Sequence, residues 1–451
     1  MAGRKKQPEL TAEEKLQQTL VPEAEQPYKV PDNWCWTYWG NCGEFIAGNA
    51  FKKDYQGFQN YHIPFYKVGS LKYSDDTIND EILKILKATL IPVNSIIFAK
   101  IGEAIRLNRR SINNKACCID NNLMAFVSKV GFWKYFYFWS LQLDLYDYTN
   151  ATTVPAIRKS DLEGLEMPLP PLAEQQRIVE RIETLFAKLD ETKEKLQNTL
   201  DTFEIRKTAI LHKAFTGELT ANWRKHHGLT MDSWEEKTLN DIASYKKGPF
   251  GSSITKAMFV PKTANTYKVY EQGNVIRKDL TYGHYYITSE KYQELKGFSV
   301  KAGDILISCA GTIGEVYKLP PECEEGVINQ ALMRVRLNQN IIEGYFCYYF
   351  GEIIKDDVID KSNGTAMKNI PPFKVLKAIQ IKLPTINEQT EIVRIVDNLL
   401  AKEQKAHSIA QNALAKIDLI KKSILVRAFR GQLATNNPAD ESAVELLKRV
   451  L

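Results

Sequence analysis

The chain has 451 residues, 44% hydrophobic and 25% charged, which is too long for one ordinary core and too apolar for a disordered protein. The 60 Lys and Arg against 54 Asp and Glu give a formal net charge of +6, so a polyanionic partner is permitted but not required. No apolar run approaches the roughly 20 residues of a membrane span, and the seven scattered cysteines lack C-x-x-C spacing. We therefore expect a cytoplasmic protein with reduced thiols, no membrane partner and no zinc.

An internal repeat determines the predicted domain order. Residues 169–219 align without gaps on residues 383–433, with 19 identities. Each copy follows a more weakly matched block, in which Asp32-Asn33-Trp34 corresponds to Asp232-Ser233-Trp234. The chain is thus a variable block followed by a matched block, and this unit occurs twice.

The variable blocks contain short apolar runs, such as residues 95–99 and 304–308, separated by turns rich in Gly and Pro. Short helical stretches lie between these runs. This composition predicts an α+β fold with an irregular sheet in each block.

Each matched block opens with a Leu-Pro segment and then lacks Gly and Pro until Gly217 or Gly431. This predicts one helix of about 42 residues per copy, roughly 60 Å long. Its apolar residues step by four and three, the spacing of a coiled coil. We predict that the two helices pair antiparallel; the alternative is that each packs separately on its own block. The predicted seam residues are Ile178, Ile182, Leu185, Leu189, Leu196, Phe203, Ile210, Ile392, Val396, Leu399, Ala406, Ala410, Ala413, Ile417, Ile420 and Ile424.

Two stretches, residues 104–119 and 243–278, are locally basic and interleaved with amide and hydroxyl residues, a pattern that favours a nucleic-acid partner. Lys and Arg neutralise phosphates, and Arg, Asn and Gln can hydrogen-bond base edges. A solvated charged face is the alternative for each stretch, and a turn-capping role is the alternative for the amides at 121–122 and 329–330. The candidate DNA contacts in the first block are Lys100, Arg106, Asn108, Arg109, Arg110, Asn113, Asn114, Lys115, Asn121 and Asn122. Those in the second block are Lys246, Lys247, Ser252, Ser253, Lys256, Lys262, Asn265, Gln272, Asn274, Arg277, Lys278, Asn329 and Gln330.

Catalytic signatures are missing from the sequence. It has no G-x-x-x-x-G-K-[ST] phosphate loop, and its six His and seven Cys form no ligand-spaced cluster. Two binding blocks without a catalytic constellation predict a non-catalytic recognition protein that has no metal or cofactor of its own.

The chain resembles the specificity subunits of type I restriction–modification systems. The resemblance is carried by residues 168–179 (PLPPLAEQQRIV) and their echo at 383–389 (LPTINEQ). The helix endings at 213–219 (KAFTGEL) and 427–433 (RAFRGQL) and the opening residues 13–34 also carry it.

The resemblance implies that each variable block is a target recognition domain that reads half of a bipartite, asymmetric site in double-stranded DNA. The long helices then set the spacer and dock two modification subunits, which bind S-adenosylmethionine and methylate adenine. Two restriction subunits that use ATP and magnesium can join them. The implied segments are 1–28 (N-terminal extension), 29–171 (first recognition domain), 172–220 (first long helix), 221–385 (linker and second recognition domain), 386–431 (second long helix) and 432–451 (tail near the N-terminus).

Two other functions remain open from the residues. The chain could be the specificity subunit of a fused nuclease–methyltransferase, whose partner would be one large polypeptide. It could also be a coiled-coil scaffold whose two head domains bind protein.

Overall fold

The computed structural model describes residues 11–71, 76–150, 154–361 and 372–449. The chain divides into two compact units. Unit 1 comprises Met1–Leu196 with Asn412–Leu451, and unit 2 comprises Gln197–Gln411. Each unit therefore contains one variable block and a segment of both matched blocks, so the division runs through the long helices rather than at their ends.

The helices follow one another in a similar order in the two copies. They are α1 Ala12–Thr19, α2 Asp80–Leu86, α3 Trp133–Ser140, α4 Lys159–Glu163, α5 Leu172–Asp201, α6 Phe203–Phe215, α7 Ala221–His226, α8 Leu239–Ile242, α9 Gln272–Arg277, α10 Ser289–Glu294, α11 Glu343–Lys361, α12 Phe373–Lys377, α13 Ile386–Phe429 and α14 Ala443–Lys448.

The strands are short, as the apolar runs predict. They are β1 Cys35–Tyr38, β2 Gly43–Ala47, β3 Ile63–Tyr66, β4 Thr77–Ile78, β5 Ile96–Ala99, β6 Arg110–Ile112, β7 Cys118–Ile119, β8 Leu123–Ser128, β9 Glu166–Leu169, β10 Glu235–Thr238, β11 Ala243–Lys247, β12 Thr266–Tyr270, β13 Tyr286–Thr288, β14 Ser299–Val300, β15 Ile305–Ser308, β16 Val316–Lys318, β17 Gly326–Ile328, β18 Leu332–Leu337 and β19 Gln380–Leu383.

The same sheets recur in the two units, which confirms the predicted α+β duplication. Unit 1 has an antiparallel sheet of order β2-β8-β5-β6, a sheet of order β4-β3-β7 and a pair β1-β9. Unit 2 has an antiparallel sheet of order β11-β18-β15-β16, a sheet of order β13-β12-β17-β14 and a pair β10-β19. Each second sheet contains one parallel pairing, β3 with β7 and β12 with β17.

In unit 1 the start of α5 packs against the end of α13, together with the four-stranded sheet. Ile178 and Ile182 share one core with Ala428 and Phe429. Further along, Lys421 Nζ lies 2.6 Å from the carboxylate of Asp190. Residues further along α5 thus contact residues closer to the start of α13, so the two segments run antiparallel.

In unit 2 the end of the first long helix packs against the start of α13. Arg206 Nε donates to Glu403 at 2.8 Å, and the rings of Phe203 and His407 lie 4.6 Å apart. Residue numbers again fall on one helix as they rise on the other, so the predicted antiparallel pairing is confirmed within each unit.

The predicted seam of α13 is wrong at two positions. Ala406 is exposed and Ile420 is 44% exposed, whereas the following residues, His407 and Lys421, are half-buried. A seam that advances by three and then four residues has the same seven-residue period as one that advances by four and then three, so spacing alone does not decide between neighbouring positions. The prediction chose the apolar Ala406 and Ile420 over the polar His407 and Lys421, and the structure places the polar residues in the seam.

The first matched block does not form one continuous helix as predicted. Thr202 interrupts it with φ −91° and ψ 1°, although Thr202 N still donates to Asn198 O at 3.1 Å. The Thr202 hydroxyl also donates to that carbonyl, at 2.6 Å, and side chains that bond back to the preceding turn bend helices. Arg206 reinforces the distortion because its guanidinium donates to Thr199 O at 3.1 Å.

Glu and Gln at the start of each long helix anchor the variable block. Gln175 Oε1 accepts from Phe132 N at 2.8 Å, and its Nε2 donates to Pro170 O at 2.9 Å. Gln389 makes the equivalent contact with Ile342 N at 2.7 Å. Both glutamines are fully buried and make matching contacts, which explains why Gln recurs at this position of the repeat.

The C-terminal tail lies against the N-terminal segment within unit 1, as the layout predicts. Ala443 N donates to Asn33 O at 3.0 Å, and the Tyr28 hydroxyl donates to Phe429 O at 3.1 Å. The tail contains the short helix α14; residues 450–451 lie outside the described residues.

Candidate nucleic-acid interface

In unit 1 three loops meet at one end of the four-stranded sheet, and we call them the first loop end: residues 48–50, 100–109 and 120–122. They meet because β8 runs antiparallel to both neighbours, with Leu123 opposite Ala99 and next to Gly48 N, which donates to Leu123 O at 3.0 Å. Polar side chains that are distant in sequence are therefore gathered on one edge.

Unit 2 repeats this arrangement at the second loop end: residues 248–253, 309–314 and 329–331. Gly248 N donates to Leu332 O at 2.9 Å, and this bond corresponds to the one from Gly48 N to Leu123 O in unit 1. Cys309 N donates to Ala331 O at 2.8 Å. The two loop ends are thus corresponding surfaces of the duplicated fold.

Glycine is required where these loops touch. A Cβ on Gly48 would lie 1.8 Å from Asp120 O, and one on Gly248 would lie 1.8 Å from Asn329 O. Both distances are far below van der Waals contact, so any side chain at either position would push the two loops apart.

The amides at 121–122 and 329–330 lie in matching turns, in which the two pairs are offset by one residue. Asp120 Oδ1 accepts from Asn122 N at 2.8 Å, and Asn329 Oδ1 accepts from Ala331 N at 3.0 Å. The counterpart of Asn329 is therefore Asp120, and that of Gln330 is Asn121. Burial raises the pKa of the Asp120 carboxyl above its ordinary value. Asn121 and Gln330 are the exposed members of these turns.

Arg110 was predicted to contact DNA, and the structure instead uses it to hold unit 1 together. Its guanidinium donates to Asn108 O at 2.6 Å and to Ser140 O and Leu143 O at 2.8 Å. Burial lowers the pKa of this guanidinium to about 10. Sequence reasoning assigned Arg110 to the surface because a buried, hydrogen-bonded Arg and an exposed one look alike in a basic stretch.

Two asparagines of the first stretch are also structural. Asn108 has a left-handed backbone with φ 50°, and its side chain donates to Leu143 O at 2.9 Å. Asn113 is fully buried and accepts from Ser95 N at 2.8 Å. The structure therefore contradicts the prediction that these two asparagines contact bases.

Asn114 and Lys115 lie away from the first loop end. They follow β6 where Ile112 pairs with Ile96, at the opposite end of the sheet from Ala99. Both are exposed, but the fold separates them from the other candidates.

The cations at the first loop end are Lys100, Arg106 and Arg109. Lys100 is half-buried, and its backbone N donates to Asn122 O at 2.8 Å. Arg106 stacks on Tyr146 at 3.7 Å and pairs with Glu103 at 2.8 Å. Arg109 is exposed and has no partner among the described residues, so it is the cation most available to a phosphate.

At the second loop end Lys246, Lys247, Ser252 and Gln330 are exposed. Lys246 Nζ lies 4.9 Å from the ring centroid of Phe298. These four residues come from strand β11 and from two different loops, and the structure places them near one another at this end of the sheet.

Gln272 joins this end through a different role. Its Nε2 donates to Ala310 O and, at 3.0 Å, to Thr312 O. The side chain thus holds the loop after β15 in place, and Thr312 itself is exposed.

Other candidates of the second stretch are structural or lie elsewhere. Asn274 is fully buried and donates to Tyr282 O at 2.7 Å, which contradicts the prediction that it contacts DNA. Lys262 pairs with Glu324 at 2.6 Å, and with Asn265 it precedes β12, whose other end is at the second loop end.

The remaining candidates occupy local turns. Arg277 lies over the ring of Tyr282 at 4.8 Å, and Lys278 caps α9 with φ 52°. Ser253 N donates to Phe250 O at 2.8 Å, and Lys256 begins an exposed 3-10 turn.

Sequence reasoning missed two features of these loops. Phe250 is 86% exposed at the second loop end, and because it is apolar the pattern of basic residues does not indicate it. Lys52 and Lys53 are exposed and directly follow the loop 48–50. The sequence feature that could have indicated them is a pair of lysines close to the turn Gly48-Asn49.

Two absences concern the described residues only. In residues 11–71, 76–150, 154–361 and 372–449, no three His, Cys, Asp or Glu side chains form a cluster that could hold a metal ion. Over the same ranges no helix is both long and apolar enough to span a membrane. All seven cysteines are free.

Two copies of one α+β unit, each presenting cations and amides on loops at one end of its main sheet, define a duplicated nucleic-acid-recognition protein. The type I restriction modification DNA specificity domain matches the sequence twice, over residues 32–202 and 231–411. The chain belongs to this family of DNA sequence-specificity proteins.

The chain is also similar to named specificity subunits of type I restriction enzymes. The specificity subunit of the type I restriction enzyme EcoBI from Escherichia coli is 28% identical over 329 residues, 67% of each chain. That of EcoKI from Escherichia coli strain K12 is 26% identical over 314 residues, 65% of each chain. The alignments thus span about two thirds of each relative.

Solved structures share the fold. The HsdS subunit from Thermoanaerobacter tengcongensis superposes with a TM-score of 0.64 at 17% identity, covering 91% of this chain and all of that one. A chain from a structure describing complex assembly and conformational transition of the type I R-M system gives a TM-score of 0.59 at 18% identity, covering 90% of this chain and all of that one.

Proposed function

We propose that the first and second loop ends each read one half of a bipartite, asymmetric site in double-stranded DNA. The observation that carries this proposal is the repeated meeting of three loops at one sheet end, with exposed Arg109 and Asn121 in unit 1 and Lys247 and Gln330 in unit 2. Cations bind phosphates in any sequence, and amides can distinguish base edges. Because the two loop ends differ in sequence, the two half-sites differ as well.

The long helices set the spacer between the half-sites and dock two modification subunits in this proposal. Continuous α13 contributes segments to both units, which supports a spacing role. The modification subunits supply S-adenosylmethionine-dependent adenine methylation, and two restriction subunits, with ATP and magnesium, complete an endonuclease. These cofactors belong to the partners, and the chain acts by recognition in the cytoplasm.

The test is co-expression with the modification subunit, followed by mapping of methylated adenines in the host DNA. A two-part motif separated by a fixed gap of unspecified bases is expected. A continuous motif would contradict the proposal. A purified complex with no preference for any sequence over competitor DNA at ~0.15 M salt would favour the protein-binding scaffold instead.

A matched pair of variants sharpens the test. Gln330→Ala removes an exposed amide at the second loop end and is expected to relax only the second part of the motif. Asn265→Ala removes an exposed amide at the other end of β12 and is expected to leave both parts intact. Equal effects of the two substitutions would place the DNA elsewhere on unit 2.

A further inference from the structure

Phe250 is the most solvent-exposed of the large hydrophobic side chains in the described parts of the chain, at 86%. Exposing a whole phenylalanine side chain forgoes the favourable free energy that burial of its apolar surface would supply. Isolated exposed apolar residues are common, so the exposure alone assigns no role. The position and surroundings of the ring provide the further argument.

The loop that carries Phe250 is held at both ends. Gly248 N donates to Leu332 O at 2.9 Å, and Ile254 is buried in a core cluster of unit 2. Between these anchors Ser253 N donates to Phe250 O at 2.8 Å, closing a short turn. The backbone therefore presents the ring outward on a fixed turn.

The charge around the ring fits a polyanion. Residues 243–270 contain no Asp or Glu, and the exposed Lys246 and Lys247 precede the loop. Gln330 lies beside this loop, as the 3.9 Å distance from its side chain to a Cβ built on Gly251 indicates. An apolar ring flanked by lysines and an amide matches DNA, whose base faces and thymine methyl groups lie between phosphates.

Unit 1 has no such ring at its corresponding loop. Gly48 makes the same close approach as Gly248, so Ala50 occupies the position of Phe250. The next aromatic residue, Phe51, is packed on Phe65 with ring centroids 3.9 Å apart. The two loop ends thus differ in one exposed aromatic side chain.

We propose that Phe250 is a specificity-determining residue that makes apolar contact with a base in the second half-site. This inference rests on the proposed function and assigns a base-contacting residue to one of its two halves. The apolar surface can be a thymine methyl or the face of a base at an opened step. The ring carries no charge, so it contributes to sequence preference and not to the salt dependence of binding.

The experiment compares the wild-type complex with its Phe250→Ala variant on duplexes that carry the mapped two-part motif. Base stacking and good base contacts predict a loss of specific affinity of about tenfold in the variant. The salt slope and the first part of the methylation motif are expected to stay unchanged. Lys247→Ala is the contrasting variant, expected to reduce the salt slope by about 0.9.

Two further duplexes distinguish the base surfaces. Replacing the thymines of the second part with deoxyuridine weakens wild-type binding but not Phe250→Ala binding if the ring contacts a methyl group. 2-Aminopurine in that part brightens with the wild type but not with the variant if the ring opens a base step. Either result supports the inference, and the absence of both overturns it.

Failure of the inference is distinguishable from failure of the proposed function. A wild-type complex that binds specifically, with Phe250→Ala binding equally well, overturns the inference alone. A variant that no longer assembles with the modification subunit also overturns it, because the ring would then contact protein. A wild-type complex without any sequence preference removes the proposed function itself.

Discussion

The indole Nε1 of Trp34 donates a 2.7 Å hydrogen bond to the carboxylate of Glu174, which is fully buried. In unit 2, Trp234 Nε1 donates to Glu388 at 2.9 Å. In each copy the bond ties the start of the variable block to the start of the long helix. The remaining partners differ: Glu388 pairs with buried Arg224, whereas the other donors to Glu174 are neutral Thr435 and Asn436.

This difference predicts unequal costs for the same substitution. Glu388→Gln leaves Arg224 buried without its counter-ion and is expected to lower the free energy of unfolding by about 3–5 kcal/mol. Glu174→Gln disturbs only neutral hydrogen bonds and is expected to cost about 1–3 kcal/mol. Urea unfolding of both variants measures the difference, and equal losses would show that the Arg224 pair is not decisive. Arg224→Met combined with Glu388→Gln should recover part of the loss.

A second prediction concerns DNA binding at the first loop end. Arg109→Ala is expected to weaken binding of the complex to any duplex and to reduce the salt slope by about one, as one phosphate contact is lost. Lys115→Ala removes an exposed cation at the opposite end of the sheet and should leave the slope unchanged. Affinity measured from 0.05 to 0.3 M salt tests both, and an effect confined to Lys115→Ala would reverse the orientation proposed for unit 1.

Arg110, next to Arg109, should behave as a folding residue. Arg110→Ala removes the hydrogen bonds that a charged donor makes to Asn108 O, Ser140 O and Leu143 O, each contributing about 1.5–3 kcal/mol. We expect a lower unfolding midpoint for Arg110→Ala and an unchanged midpoint for Arg109→Ala. Chemical denaturation followed by circular dichroism is the measurement. A stable Arg110→Ala variant with impaired DNA binding would restore the original assignment.

The phase of the α13 seam can be tested with two alanines. Ala410 is 2% exposed, so Ala410→Leu forces extra atoms into a packed contact and is expected to destabilise by about 1–3 kcal/mol. Ala406→Leu adds the same atoms to an exposed position and should change stability by less than about 0.5 kcal/mol. Thermal unfolding of the two variants tests which positions form the seam. If both alanines lay in the seam, as the sequence predicts, the two substitutions would lower the unfolding temperature equally.

Asp120 should make stability depend on pH. Because burial raises its pKa, the folded protein keeps this proton at pH values where the unfolded chain has lost it. The carboxylate therefore reduces stability as pH rises from its ordinary value of 3.8 through the raised folded value, and the reduction is complete above that. Asp120→Asn, which copies Asn329, is expected to be more stable than wild type at pH 7, with the gain shrinking towards pH 4. Asn329→Asp should show the opposite change, and pH-independent differences would contradict this account.

Side-chain burial separated the candidate DNA contacts that stay predictions from those that the structure contradicts. Arg109 and Arg110 are adjacent and equally basic, yet one is exposed and the other donates to carbonyls on the loop 140–143. Asn113 was likewise indistinguishable in sequence from exposed Asn114. Composition identifies a basic stretch, but the direction of a side chain such as that of Arg110 depends on contacts with residues about 30 positions away.

The sequence by itself determined the duplication, the α+β blocks, the two long helical segments and the family, because these depend on repeats and on periodicity along the chain. The tertiary structure alone decided the phase of the α13 seam, the break at Thr202 and the meeting of three loops at each sheet end. Those features arise from pairing between distant strands and helices, such as Leu123 with Ala99, and one-dimensional spacing does not encode which residue of a pair is covered.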